Sequence, residues 1–342
     1  MIARTDTPDP PRRVAGSLAE LLGQDVSGDV LTGADGKTGA RLERVTVDGH
    51  RYVLKHLHLA DDWVMRATGD LQVRAVAVWR DGWLDGLPTD IDHAVVGAAW
   101  DDRPDGRGAV LVMHDVAEHL VPEGDEELPL EQHHAFVQHM AALHATFWGS
   151  RATAGLLHLS TRLVFFGPQL GETERANGGA HPVPTELVPE GWSLLAERAP
   201  RASTIVAALL NDPTPLVASL TATPQTFVHG DWKAGNLGSH PDGRTILVDW
   251  AMPGIAPGAF DLAWYVCLNR ARLPESKQDT FETYREALER GGIDTSAWWE
   301  QQLALSLLGI MLMFGWEKAL GDADELAWWE DRVLAGARWL SP

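Results

Sequence analysis

Cysteine is nearly absent. The 342-residue chain has one, Cys267, inside the apolar run Leu262–Leu268. One thiol cannot form a disulfide within one chain, so no cross-linked scaffold is expected, and the composition suits a reducing, cytoplasmic setting. The N-terminal MIARTDTPDPPRR lacks the apolar core of a secretory signal and reads as loosely held. Long hydrophobic runs are missing too. The longest, Leu303–Trp316, is short for a membrane span and has polar flanks, so a buried helix is expected rather than a membrane contact. Positive charge is scarce: Lys and Arg total 28 against 48 Asp and Glu, a formal charge of −20. A nucleic-acid surface needs a basic footprint, so this balance argues against a nucleic-acid partner. It favours solubility first and a cationic small molecule second. Glutamate is absent between Glu43 and Glu118. Tryptophan, by contrast, is abundant at fifteen residues, most of them expected in packing. The length allows two lobes, and an apolar content of 45% supports a sizeable core.

The informative stretch is Thr226–Trp250, TFVHGDWKAGNLGSHPDGRTILVDW. Two apolar runs, Phe227-Val228 and Thr245–Val248, flank a polar loop. His240-Pro241-Asp242-Gly243 is turn chemistry, so the runs are predicted to return on each other like a hairpin. That return brings Asp231, Asn236 and Asp249 to one end of the strands. Two carboxylates and an amide suit Mg2+, which binds through one or two carboxylates plus substrate phosphates. A carboxylate left off the metal can take the proton of an attacking hydroxyl. An Asp, an Asn five residues later and an Asp at a strand end form the kinase-type arrangement for phosphoryl transfer. Lys233 stands where a cation can neutralise charge on the moving phosphoryl group. Asp231 is expected on an exposed loop.

The stretch resembles the aminoglycoside phosphotransferase and choline kinase families, small-molecule kinases with a protein-kinase-like fold. Their HGD-x-x-x-x-N loop is followed by an apolar strand ending in Asp; HGDWKAGNL and ILVDW fit that pattern without a gap. The resemblance runs from about Leu31 to Trp264. It implies an α+β, bilobal fold, with a flexible segment 1–16, a small β-rich N-lobe over 17–116 and a mainly helical C-lobe over 117–342. It implies transfer of the γ-phosphoryl group of ATP, or GTP, to a small-molecule hydroxyl with Mg2+. Asp231 then orients or deprotonates the acceptor, Lys233 and Lys55 neutralise phosphate charge, Asn236 and Asp249 hold magnesium, and His229 supports the loop. Asp261, in Ala259-Phe260-Asp261-Leu262, is implied as a structural brace of the catalytic loop. Met113-His114-Asp115-Val116 resembles the hinge whose backbone holds the adenine edge, with Met113, His114 and Val116 as the nucleotide contacts.

Asp48-Gly49 is a two-residue turn signal joining strands that end at Val47 and begin near Tyr52. Lys55 lies in the return strand and shares side-chain parity with Val53 and Leu57. Gly33–Gly39 contains Gly36-Lys37-Thr38, but Leu31 stands where a Walker loop needs glycine and a strand follows, so a glycine turn over phosphates, using Gly36 and Gly39, is the reading kept. A helix is predicted over Asp70–Asp85. With no glutamate on it, Asp70 or Asp81 is left as a substitute partner for Lys55. Strands are expected at Ala94–Ala99 and Ala109–Met113, and a helix at Glu131–Trp148. The four histidines of that helix lack the spacing of a metal site. Gly167–Gly179 reads as a long loop. Helices are expected near Ser276–Glu289, Ala297–Leu320 and Asp324–Leu340. The acceptor stays open: an aminoglycoside or amino sugar in a resistance or biosynthetic role, or a neutral metabolite, macrolide or nucleoside. A nucleotide-binding pseudokinase is the third reading, and the complete Asp231, Asn236 and Asp249 set argues against it.

Overall fold

An antiparallel sheet in the order β1-β2-β3-β6-β5 opens the structure, a computed structural model that describes residues 11–31 and 39–340. Its strands are β1 (Asp29–Val30), β2 (Arg41–Val47), β3 (His50–His58), β5 (Val95–Trp100) and β6 (Gly108–His114). The β2–β3 turn is the predicted one: Asp48 and Gly49 have φ of 50° and 78°, the left-handed pair that a tight hairpin needs. Side chains then alternate between two faces. Val45, Val47, Leu54, Val110 and Val112 form a small core against Leu18, Leu21 and Leu22 of α1 (Leu18–Leu22). On the other face Leu57, Ala109 and Leu111 join the main core, with α2 (Trp63–Ala67) and α3 (Arg74–Arg80) packed there. Lys55 shares the parity of Leu57 and faces this side. Of the segment expected to be loose, residues 1–10 lie outside the described residues. The rest is tied down: the Arg12 amide donates to Arg80 O at 2.8 Å, and Ala15 bridges to the β5 edge.

The helical region contains α4 (Leu130–Thr146), α5 (Leu159–Val164), α6 (Leu170–Ala176), α7 (Val188–Arg198), α8 (Pro200–Asn211), α9 (Thr214–Thr221), α10 (Ala259–Leu268), α11 (Lys277–Arg290), α12 (Trp299–Leu320) and α13 (Ala323–Ala337). At its centre α12 packs on α5, α7, α8, α9, α10 and α13. This helix spans Trp299–Leu320 against the expected Ala297–Leu320, and it contains the apolar run Leu303–Trp316. At 22 residues, with a mean hydropathy of 1.5 over its most apolar 18-residue window, it is long and apolar enough to cross a membrane, but 78% of that window is buried inside the protein, so it is a core helix. Two small ladders carry the loops. β7 (Thr226–Val228) pairs with β10 (Gly254–Ala256), while β8 (Leu237–Ser239) pairs with β9 (Thr245–Leu247), which also receives β4 (Ile91–Asp92) from the sheet region.

Three expectations change. The return across His240–Gly243 joins β8 to β9, not the Phe227-Val228 strand, because the loop after Val228 inserts its own short strand before the turn. Gly167–Gly179 is not a plain loop. It holds α6, which Arg66 of α2 anchors through an ion pair to the buried Glu174 at 2.6 Å. The helix predicted over Asp70–Asp85 is shorter. It begins at Arg74 after Val73, whose φ of 54° is left-handed, and ends at Arg80, capped by Asp81 before Gly82, whose φ is 79°.

Candidate active site

Asp231 sits between β7 and β8 and is 8% exposed, so the expected exposed loop is a buried one. Each carboxylate oxygen is engaged. Trp264 Nε1 of α10 donates to Oδ1 at 3.0 Å. Lys233 Nζ and Asn236 Nδ2 reach Oδ2 at 2.8 and 2.7 Å. Burial alone would lower the Lys233 pKa, but Asp231 and then Asp249 outweigh it and raise it, so the ammonium stays charged.

The loop is held from beneath by fully buried polar groups. Asp261 on α10 accepts the backbone amides of His229 and Gly230, each at 2.8 Å, and contacts His144 Nε2 at 3.3 Å. Burial pushes its carboxyl up, yet His144, His229 and Arg162 more than offset this and hold it below the usual range. The His229 ring bridges the two loops. Its Nε2 lies 3.1 Å from Val248 O, which can only accept, so Nε2 carries the proton and Nδ1 accepts the Asp231 amide at 3.2 Å. Burial lowers the His229 pKa and keeps it neutral. Arg162, from α5, donates to Gly230 O at 3.2 Å and to Met252 O. Burial brings its pKa down to about 10, still charged at neutral pH. Gly230 has φ of 80°, and a Cβ there would lie 2.1 Å from Met252 O, so only glycine fits.

Asp249 follows β9 with φ of 64°, unusual for a residue with a side chain. Lys55 Nζ lies 2.7 Å from Asp249 Oδ1. Burial pushes the Asp249 carboxyl up, but Lys55, Lys233 and His229 prevail and hold it low. The Val248 amide donates to Asn236 O at 3.0 Å, which sets Asn236 beside the Asp249 loop. Lys55 therefore pairs with the carboxylate at the strand end. Neither substitute partner serves it: Asp81 binds Arg80, and Asp70 binds the Arg74 amide and guanidinium.

The described residues fit a hard divalent cation in a limited way. Asn236 bonds Asp231 through Nδ2, leaving its carbonyl Oδ1 as an oxygen donor, and Asp249 is an ionised carboxylate. Among the described residues no group of three or more His, Cys, Asp or Glu could hold a metal, so such an ion would complete its shell with ligands from outside the protein.

The residues expected to contact a nucleotide are spread along the sheet region. Gly36 lies outside the described residues. Gly39 precedes β2 with φ of 98°, and a Cβ there would lie 2.5 Å from Asp61 O, so its absence of side chain lets the chain pass the start of α2. Met113 and His114 end β6. The His114 amide donates to Ala94 O at 2.9 Å and that of Asp115 to Arg51 O at 3.3 Å, whereas the Val116 amide has no partner among the described residues. Asp115 is held by Arg44 at 2.8 Å. The sequence reading missed Trp264 and Arg162. Both reach the loop from distant helices, and an indole or guanidinium in an amphipathic run carries no local mark of that. Trp264 begins an aromatic wall: Phe314 lies edge-on to it at 4.8 Å, Phe166 is 5.3 Å from Phe314, and Trp63 of α2 is 5.6 Å from Phe166.

Known structures share the fold at low identity. The chain superposes on amicoumacin kinase hAmiN in complex with AMP-PNP, Ca2+ and Ami with a TM-score of 0.55 and 15% identity, over 89% of this chain and 87% of that one. Choline kinase LicA from Streptococcus pneumoniae gives 0.52 and 14%, over 94% and 96%. A microcompartment-associated aminopropanol kinase gives 0.51 and 15%, over 91% and 90%. No curated protein sequence matches significantly. The fold is thus bilobal and protein-kinase-like, with a β-sheet N-lobe and a mainly helical C-lobe. A sequence model of the phosphotransferase enzyme family, APH, matches residues 35–299, and the chain belongs to that family, as a phosphotransferase acting on hydroxyl groups.

Proposed function

We propose that the protein transfers the γ-phosphoryl group of ATP, or GTP, to a hydroxyl of a small molecule bearing an amine, such as an amino alcohol or amino sugar. The observation that carries this reading is the paired-carboxylate geometry. Asp231 is fixed by three donors, and the Asp249 loop beside it carries a second carboxylate bound to Lys55. The acceptor oxygen attacks the γ-phosphorus as its proton passes to Asp231. The new O–P bond forms while the bond to the β-phosphate oxygen breaks, and a nucleoside diphosphate leaves. Lys233 lies 2.8 Å from the proton-accepting carboxylate and can follow charge onto the moving group. Lys55 holds the ground-state phosphates. Asn236 Oδ1 and Asp249 would hold magnesium, which supplies positive charge to the phosphate oxygens. The Val116 amide and the neighbouring backbone of Met113 and His114 would take the base edge, which leaves ATP and GTP undistinguished by side chains.

The amine is supported by the formal charge of −20, which raises the local concentration of cations. Its test is a screen of amino sugars, amino alcohols and matched neutral alcohols, reading nucleotide consumption and the mass of the phosphorylated product. Turnover of an amine-bearing alcohol above its neutral match is expected. Turnover confined to neutral alcohols overturns the amine, and none with any acceptor, despite nucleotide binding, overturns the kinase reading.

A further inference from the structure

We propose that Arg74 is a positioning residue for the metal loop, and that Asp70 holds Arg74 in place for that task. The inference rests on the magnesium–nucleotide reading above. It begins with the absence of glutamate from the helix that follows β3. With no acidic side chain of α3 on Lys55, something else must fix the distance between this helix and the Asp249 loop. Arg74, the first residue of α3, does so directly: its Nη1 donates to Ala251 O at 2.8 Å. Ala251 lies two residues beyond Asp249.

Three features separate this contact from ordinary packing. The Arg74 and Asp70 side chains are each only 7% exposed, so a guanidinium has been taken out of water to reach a backbone carbonyl. Such a burial persists where the charge is paired and its hydrogen bonds are made. Asp70 meets that need, accepting the Arg74 amide through both oxygens at 2.9 Å and lying 3.7 Å from Nη1. Next, both ends of the contact are strained. Val73 starts the helix at φ of 54° and Asp249 sits at φ of 64°. Left-handed backbone costs roughly 1–2 kcal/mol at a residue with a side chain, and it persists only where the surroundings hold it. Finally, Arg162 grips the next carbonyl, Met252 O, from the C-lobe side and Gly230 O with it. Two buried arginines thus hold consecutive carbonyls, one from each lobe. Arg162 ties the metal loop to the catalytic loop. Arg74 ties it to the N-lobe, in the cleft that Lys55, Asp70, Arg74, Asp249 and Ala251 line together.

The consequence is specific. Losing Arg74 frees the Asp249 carboxylate from its set position without touching the groups that hold nucleotide directly. Calorimetric titration of ATP with and without Mg2+ tests this on wild type, Arg74→Ala, Arg74→Lys and Asp70→Asn. Hydrogen exchange of the peptide 248–254 is followed in the protein without ligand. Arg74→Ala is expected to weaken Mg2+-dependent binding about tenfold, the worth of one charge-assisted bond, and leave metal-free binding within about twofold. Exchange of the peptide quickens in parallel. Arg74→Lys, which keeps a donor, recovers part of both. Asp70→Asn moves both in the same direction and adds nothing to Arg74→Ala. If Arg74→Ala does not fold, Arg74→Lys and Asp70→Asn carry the comparison. Unchanged metal dependence and exchange overturn the proposal, as does an equal loss with and without metal, which marks plain packing. A wild type that binds nucleotide without regard to Mg2+ overturns the functional reading instead, and the exchange arm then decides the tether alone.

Discussion

Asp231 shows how much a single carboxylate is asked to hold. It accepts from an indole, an ammonium and an amide, so its removal does two different things. Asp231→Asn keeps the size of the side chain and removes the proposed proton acceptor. Its turnover should fall roughly 10²–10⁴-fold, with a melting temperature lowered because its NH2 group faces a donor that the carboxylate accepts. Asp231→Ala removes both acceptor oxygens and leaves the buried Trp264 N–H unmet, a cost of about 1–3 kcal/mol, so it should melt below the Asn variant. Equal melting temperatures would mean that water replaces the carboxylate. Trp264→Phe isolates one of the three. The ring that faces Phe314 stays and the N–H goes. A bond to a charged group is worth about 1.5–3 kcal/mol, so the rate constant should drop at least about tenfold, with nucleotide KM little changed. Steady-state kinetics check it, and a change confined to KM would assign Trp264 to binding. At this scale the sequence was legible where chemistry is local. The spacing from His229 to Asn236 and the Asp249 strand end were readable. The burial of Asp231 was not, because two of the groups that enclose it, Trp264 and Arg162, arrive from helices far along the chain.

The elements around the site are coupled through backbone more than through side chains. Gly230 turns the catalytic loop at φ of 80° against Met252 O, so β7 and the metal loop approach to backbone distance there. Gly230→Ala adds left-handed strain and an overlap. The strain is about 1–2 kcal/mol and the overlap about 1–3 kcal/mol, so a total loss of about 2–5 kcal/mol is expected. Denaturant titration reads it as a lower midpoint at unchanged slope; a midpoint near wild type would mean that the two loops can separate. Element types were mostly legible: the β2–β3 hairpin, the β5 and β6 strands and the long C-terminal helices follow from period and turn residues. Strand partners were less so. β7 and β9 looked like one hairpin, yet each pairs elsewhere, because pairing depends on what the loop between them inserts. α6 was hidden by Gly171 and the glycines flanking it; tertiary anchoring through Glu174 and Arg66 overrides their low propensity. The partner of Lys55 was sought on the following helix and found on the metal loop.

At the scale of the molecule, acid should act through histidine before carboxylate. Burial holds His229, His133 and His139 below the ordinary 6.5. The unfolded chain protonates these sites below about pH 6.5 while the folded chain does not, so stability is full above that value and falls as pH drops below it. Asp249 and Asp261, held below 3.8, keep their contribution until lower pH. Asp70, raised by burial, works in the opposite sense. Melting temperature should therefore be level above about pH 7 and decline from about pH 6.5. A profile level down to about pH 5 would mean that these imidazoles protonate in place.

The position of α12 also sets an order of events during synthesis. Apart from α13, every helix it packs on precedes it in the chain, so their apolar faces stay open until α12 has left the ribosome. At about 5–20 residues per second, the roughly 150 residues from α5 to the end of α12 take on the order of 10–30 s. During that interval the nascent C-lobe is a natural client for chaperones. When α12 does emerge it is, to the targeting machinery, a segment with the length and hydropathy of a membrane span. Its rapid burial by the waiting helices decides between folding and misdelivery.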